Sequence, residues 1–259
     1  MQLFYSKDIT SDGFCTLDAE ESRHAVRVLR LREGDELHVT DGRGHLYRCR
    51  IVNADDRACT VMSEDSTFNI QHSTLHLAVA PTKNPSRMEW LVEKAVEMGV
   101  SEITLLQCDH SERTFLKTDR LEKLAVSAMK QSLHTILPKI NPAVNLSDWL
   151  HSVFSVQCSV FSDATQANGR QLNTKHSPLN TQRFIAHCES DKPRVPLATV
   201  LKPGHDAVVL IGPEGDFSEE EIALAIECGF QPVSFGAARL RTETAAIYAV
   251  AAFNLINDR

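Results

Sequence analysis

The run Val208-Val209-Leu210-Ile211, followed by Gly-Pro-Glu-Gly-Asp-Phe-Ser at 212–218, constrains this chain more than any other segment. Four consecutive apolar residues predict a strand covered on both faces, the condition of an inner strand in a parallel sheet. Gly212, Pro213 and Gly215 then break the strand and let the backbone approach a ligand closely. Ser218 with Glu221 three residues on predicts a capping box, opening a helix that ends near Gly229. A second junction follows: Val233 to Phe235 reads as a short strand ended by Gly236, and Thr242-Glu243 begins an apolar helix running to about Asn257. Open α/β sheets bind ligands at such strand ends, so two junctions this close predict two loops clasping one ligand.

The glycines leave the ligand's identity open. Neither GxxxxGK[ST] nor GxGxxG occurs, which removes the nucleotide-triphosphate loop and the dinucleotide fingerprint. Glu214, Asp216, Glu219, Glu220 and Glu221 crowd the first loop and argue against a polyphosphate, although acids in a first turn also complement the helix dipole. A cationic or zwitterionic ligand suits this loop better.

Upstream, Leu75 to Ala80 reads as a strand, Ser86 with Glu89 as the cap of a helix ending at Gly99, and Ile103 to Leu106 as the next strand. That is a βαβ unit with parallel strands. Arg120 to Leu133 predicts an amphipathic helix with Leu121, Leu124, Ala125 and Ala128 inward and Lys123 and Lys130 outward. Residues 163–182 are polar and poorly patterned, and Phe184 to Cys188 is strand-like. Ahead of this region, the alternation at Glu36 to Thr40, the turn Asp41-Gly42-Arg43-Gly44 and the returning run Leu46 to Val52 predict a hairpin in a small β-domain. Asp65 to Thr74 is short and polar and reads as a linker.

A chain of 259 residues, 42% of them hydrophobic, is long enough to bury a sizeable core in one or two domains. No apolar stretch approaches the roughly 20 residues that span a bilayer, and Met1 to Thr10 lacks a signal-peptide profile, so a cytoplasmic protein without membrane contact is expected. The seven cysteines form no CxxC pair. His72 and His76 stand four apart, but the strand pattern of Leu75 to Ala80 separates them, and no metal site is expected. The formal net charge is −7, so any nucleic-acid contact must come from a local basic patch. Arg23, Arg27 and Arg30 have helical spacing that would align three guanidinium groups, with His24 and Arg32 nearby; this face is either solvated surface or a phosphate footprint.

These segments together resemble a known family. GPEGDFS, FGAARLRTETA at 235–245 and the apolar C-terminal helix are similar to the paired signature of the SPOUT methyltransferases of the RsmE type, which methylate N3 of a uridine in 16S ribosomal RNA. HAVRVLRLREGDELHVTDGRG at 24–44, KNPSRMEWLVEKAVEMGVSEI at 83–103 and SAMKQSLHTILPKI at 127–140 follow the family's order, so the resemblance covers nearly the whole chain. It implies an α/β fold: a small PUA-like β-barrel that binds RNA (1–70), then a SPOUT methyltransferase domain (74–259) whose parallel sheet carries a deep trefoil knot. It further implies S-adenosylmethionine as cofactor, a homodimer packed partly through the last helix, and 16S ribosomal RNA within the small subunit as substrate. Two departures stand out. Gly215-Asp216 replaces the family's usual Gly-Gly, and Ala238-Arg239 replaces an Arg followed by an aliphatic residue before Leu240-Arg241.

Carried onto this chain, the cofactor cradle comprises Leu210, Ile211, Gly212, Pro213, Glu214, Gly215, Phe235, Gly236, Leu240, Thr242 and Thr244, with His187 to Glu189 as a neighbouring strand end. The uracil imide is mostly protonated at neutral pH, and each pK unit removed from it is worth about 1.4 kcal/mol. Arg241 is the cation assigned to a uracil carbonyl. Glu243 is the general base, the group that orients Arg241, or simply the N-terminal acid of its helix. Arg23, His24, Arg27, Arg30, Arg87, Lys130 and Gln131 are assigned to RNA.

Overall fold

The hairpin written into residues 36–53 organises the amino-terminal part of the chain. The computed structural model describes residues 1–11, 13–69, 73–113, 116–154, 181–189 and 193–257. Contacts divide them into two units, Met1–His72 with Glu122–Pro138 and Ser73–Leu121 with Lys139–Arg259. In the first, β1 (Leu3–Tyr5), β2 (Phe14–Thr16), β3 (Glu36–Thr40), β4 (His45–Asn53) and β5 (Thr60–Phe68) form one sheet in the order β1-β3-β4-β5-β2. This is a curled half-barrel with β1 and β2 as its edges. Its inward residues Leu37, Val39, Tyr47, Cys49, Ile51 and Val61 pack with Phe4, Leu17 and Ala25. At the hairpin turn the Asp41 carboxylate accepts the Arg43 and His45 N–H groups at 2.7 and 3.2 Å, and Gly44 takes a φ of +108°.

Two expectations for this unit change. Asp65 to Phe68 are strand residues paired with Arg48 to His45, so the extended pairing runs past the point where a linker was expected. Their polarity reflects a strand end exposed on its faces, where no apolar alternation is required. The basic helix is also shorter than its spacing predicts: α1 (Ala19–Arg23) gives way to a π-helical turn at His24–Val28, and Arg30 lies beyond it at φ +59°. The wider winding and the left-handed exit let Leu31 return to the core. Arg23, Arg27 and Arg30 therefore do not share one helical face.

In the second unit the parallel sheet predicted from alternation is present. Seven strands, β6 (Leu75–Val79), β7 (Glu102–Gln107), β8 (Lys139–Asn145), β9 (Thr181–Ala186), β10 (Val195–Pro196), β11 (Asp206–Ile211) and β12 (Gln231–Ser234), run parallel in the order β10-β12-β9-β11-β6-β7-β8. The helices that follow α1 in the chain are α2 (Pro85–Glu97), α3 (Thr118–Gln131), α4 (Leu146–Phe154), α5 (Leu197–Val200), α6 (Glu219–Glu227) and α7 (Thr242–Asn257). Leu106, Leu146, Trp149, Ile185, Leu210, Phe217, Ile222 and Phe230 make a core among the sheet, α4 and α6. Helices α2 and α7 pack on each other and α7 on β6 and β11, burying Met88, Leu91, Val92, Ala246, Ala249 and Val250. Helix α7 is not buried all round: Tyr248 and Leu255 are exposed.

Local signals explain the helix ends. Ser218 and Glu221 form the expected capping box, and Gly229 follows α6 at φ +83°. The cap of α2 is Asn84 rather than Ser86: its side chain accepts the Ser86 N–H at 3.0 Å and Pro85 takes the first helical position. Glu89 instead pairs with Arg120 at 2.8 Å. In α3, Lys130 is not an outward charge, since its side chain is largely buried on the Glu21 carboxylate. The polar stretch 163–180 lies outside the described residues, as does His72. Among the described residues no helix is long and apolar enough to cross a membrane.

Candidate active site

Strands β6 and β11 are neighbours at the middle of the sheet, and the loops leaving their carboxyl ends meet. The Glu214 carboxylate accepts the Lys83 N–H at 3.0 Å, while Arg113 donates to the Lys83 carbonyl at 3.3 and 3.1 Å. Lys83 Nζ pairs with Glu112 at 2.6 Å. Glu214 thus braces a neighbouring loop. Below it, buried Glu221 accepts N–H groups from Asp109 and Ser218, both at 2.9 Å. Burial pushes the Glu221 carboxyl up, and those two bonds oppose the shift.

Gly212 does not take a positive φ, and its small size matters for close packing instead. A Cβ there would sit 3.1 Å from the Phe217 ring and 3.3 Å from the Phe217 nitrogen, so any side chain at 212 would force this buried ring to give by a few tenths of an ångström. The left-handed residue is Asp216, at φ +65°. Its carboxylate accepts the Phe217 N–H at 2.9 Å and the Cys188 N–H at 2.6 Å, stabilising the conformation and tying the end of β9 to the loop. Gly215 lies against His110, whose Nδ1 is 3.1 Å from the Asp216 carbonyl.

The second loop closes on the first through one hydrogen bond, from Thr242 Oγ1 to the Gly212 carbonyl at 3.0 Å. Phe235 stacks on Tyr248 with ring centroids 5.0 Å apart. Gly236, at φ +108°, has no heavy atom within 4 Å of the place a Cβ would occupy. Leu210, Ile211, Gly212, Pro213 and Thr242 are buried, Phe235 and Leu240 are half-buried, and Gly215 and Gly236 leave main chain exposed. The exposed main chain at Gly215 and Gly236 could hold a cofactor. Gly212→Val should lower cofactor affinity sharply, and crowding of Phe217 should cost about 1–3 kcal/mol of stability. Calorimetry and thermal melting check both, and unchanged cofactor affinity would remove this loop from the site.

Of the candidate catalytic pair, Arg241 is exposed, its carbonyl accepts the Ala245 N–H at 2.8 Å, and its guanidinium has no ion-pair partner among the described residues. Glu243 is buried, and its neighbour is Arg87, with Oε1 3.6 Å from the guanidinium Nε. The acid that was a candidate to orient Arg241 stands beside Arg87, because α2 and α7 pack side by side. Ser86, Arg87, Trp90, Glu243 and Thr244 line a cleft of about 310 Å³. In the first unit Arg23, Arg30 and Gln131 are exposed, Arg27 pairs with Asp56, and His24 lies 2.9 Å from the Gln2 amide. Sequence reasoning missed Lys83, Trp90, Asp109, His110 and Arg113; Lys83 and Trp90 stand in a motif already singled out, KNPSRMEW.

A parallel α/β sheet with glycine loops at its strand ends follows a half-barrel in the chain, and the family models matching these two segments are those of RNA-methylating enzymes. The family description "RNA methyltransferase domain" matches residues 70–254, and "RNA methyltransferase PUA domain" matches 17–61. A probable rRNA-methyltransferase from Porphyromonas gingivalis is 36% identical, with TM-score 0.83 over 100% of this chain and 99% of that chain. A ribosomal RNA small subunit methyltransferase E from Neisseria gonorrhoeae bound to S-adenosyl methionine shares the fold at 24% identity, with TM-score 0.79 over 99% and 98% of the two chains. The protein of the same name from Synechocystis is 29% identical over 93% of this chain and 73% of its own length. The chain belongs to this RNA methyltransferase family, and its resemblance is to the RsmE type along nearly its full length.

Proposed function

We propose that this protein transfers a methyl group from S-adenosylmethionine to N3 of a uridine in the 16S ribosomal RNA of the small subunit. The observation that carries this reading is the Thr242–Gly212 hydrogen bond, which ties both glycine loops into one site with Arg241 and Glu243 on either side of Thr242 in the chain. Named relatives similar over most of the chain act on small-subunit ribosomal RNA, and an acidic first loop suits a sulfonium cation better than a polyphosphate. When bound, S-adenosylmethionine supplies an electrophilic methyl on a sulfonium that leaves as a neutral thioether. The residues of the chain then have two tasks. Arg241 stabilises negative charge developing on a uracil carbonyl, and Glu243 accepts the imide proton. Calorimetric titration with S-adenosylmethionine and with NAD tests the cofactor: binding of the first alone is expected, and binding of NAD alone contradicts the reading.

The residues proposed for RNA contact are Arg23, His24, Arg27, Arg30 and Gln131 in the first unit, with Lys130 contributing less because Glu21 neutralises it, and, separately, Arg87 in the second unit. Replacing Arg23, Arg27 and Arg30 together by Gln should weaken RNA binding and flatten the plot of log affinity against log salt by about 0.7–0.9 for each phosphate no longer neutralised. Cofactor affinity should not change. A wild-type salt slope in the triple variant would make this surface merely solvated. The same reading includes a trefoil knot at the two loops, a homodimer packed through α7, for which exposed Tyr248 and Leu255 offer apolar surface, and action in the cytoplasm on the assembled subunit.

A further inference from the structure

We propose that the cleft between the starts of α2 and α7 seats the acceptor base, with Trp90 as its stacking surface and the Arg87–Glu243 pair reading the imide edge of uracil; this rests on the methyltransferase reading above. Three observations converge there. Trp90 is 45% exposed, a large aromatic face left to solvent on an otherwise amphipathic helix. Glu243 has a side chain only 10% exposed, and its Oε2 has no hydrogen-bond partner among the described residues. A buried acceptor left in that condition is unfavourable, and a donor on a ligand would relieve it. Arg87 keeps its guanidinium 40% exposed, and its Nε stands 3.6 Å from Glu243 Oε1, too far for a hydrogen bond. Its donors remain available.

The arrangement matches one base edge. Uracil presents a carbonyl, the N3–H and a second carbonyl in a row. A carboxylate accepts the N3–H, and a guanidinium beside it donates to one flanking carbonyl, leaving the other for Arg241. Cytosine would turn an N3 lone pair toward the carboxylate and an amino group toward the guanidinium, two repulsive contacts instead of two hydrogen bonds. The purines are discriminated by the same logic at the N1 edge only in part, so the stacking surface and the size of the cleft carry the remainder of the selection. Position agrees with chemistry: Thr242, the residue before Glu243, is bonded to the Gly212 carbonyl, so the reading edge stands next to the cofactor loops.

The test is single-turnover methyl transfer to unmethylated small ribosomal subunits at saturating S-adenosylmethionine, for the wild type, Trp90→Ala and Trp90→Phe. Removing one base-stacking surface predicts a fall of about five- to a hundredfold for Trp90→Ala, with Trp90→Phe retaining most of the wild-type rate. Cofactor affinity by calorimetry and association state by sedimentation should match the wild type in both variants. Trp90→Ala with wild-type transfer overturns the proposal and leaves the methyltransferase reading intact. A loss that disappears at protein concentrations restoring a dissociated dimer also overturns it, because Trp90 is then an interface residue. A wild-type protein that transfers no methyl overturns the functional reading and the cleft with it.

Discussion

Arg241→Lys is expected to lower methyl transfer by about ten- to a thousandfold, about 1.4–4 kcal/mol of transition-state stabilisation. Arg241 lies just ahead of α7, where a cation is unfavourable to the helix dipole. Its guanidinium is exposed and has no acidic partner among the described residues, and Glu243 is held by Arg87. A cation kept in that position without an internal counter-charge is free to meet a ligand. Lysine retains the charge but loses the planar fork that addresses a carbonyl. Raising the pH toward the imide pKa should recover part of the variant's rate, since hydroxide then performs the deprotonation that the side chain no longer assists. Single-turnover rates across pH, with cofactor and RNA saturating, check this. A defect of equal size at every pH, or failure to bind S-adenosylmethionine, would make Arg241 a structural residue.

Lys130→Met should be among the most destabilising substitutions in the first unit, costing about 3–5 kcal/mol at neutral pH, because it leaves the buried Glu21 carboxylate without its counter-ion. Burial is the largest influence on Glu21 and raises its pKa, while the hydrogen bond and charge of Lys130 pull it down. A carboxyl whose folded pKa lies above its unfolded value favours folding when protonated, and that contribution is lost as pH rises through the folded pKa. Removing the lysine lifts the folded pKa further. The deficit should therefore be full at neutrality and shrink as pH falls through the carboxylate range. Urea unfolding followed by circular dichroism at several pH values measures it. A deficit independent of pH would show that the cost is lost packing of the lysine stem, and Glu21→Gln in the Lys130→Met background should restore stability if the charge is responsible.

The parts of the fold legible in the sequence are those set by local chemistry. The Val208-to-Ile211 strand, the Ser218–Glu221 box and the bounds of α7 at Thr242 and Asn257 follow from apolar runs, capping side chains and glycines. Where two local signals compete, the reading chose the wrong one: Ser86 with Glu89 matched a capping box, but Pro85 fits the first helical turn only if Asn84 is the cap. Regular spacing at Arg23, Arg27 and Arg30 gave no warning of the π-helical turn at His24–Val28, after which Leu31 packs against the core. The bracing of the site was illegible for a topological reason. Lys83 and Glu214 stand 131 residues apart and meet only because β6 and β11 are neighbours in the sheet. Asp216 reads as one more acid in a crowded helix start until its left-handed φ and its bond to Cys188 are visible. Trp90 is likewise indistinguishable in sequence from a core tryptophan such as Trp149, which is 7% exposed.

The central claim is tested most directly by nucleoside mass analysis of 16S ribosomal RNA after unmethylated small subunits have been incubated with this protein and S-adenosylmethionine. A single new 3-methyluridine is expected, reduced about ten- to a thousandfold when Arg241→Lys replaces the wild type for the same short time. A methyl group on a ribose hydroxyl or on another base, or none at all with the cofactor demonstrably bound, would contradict it.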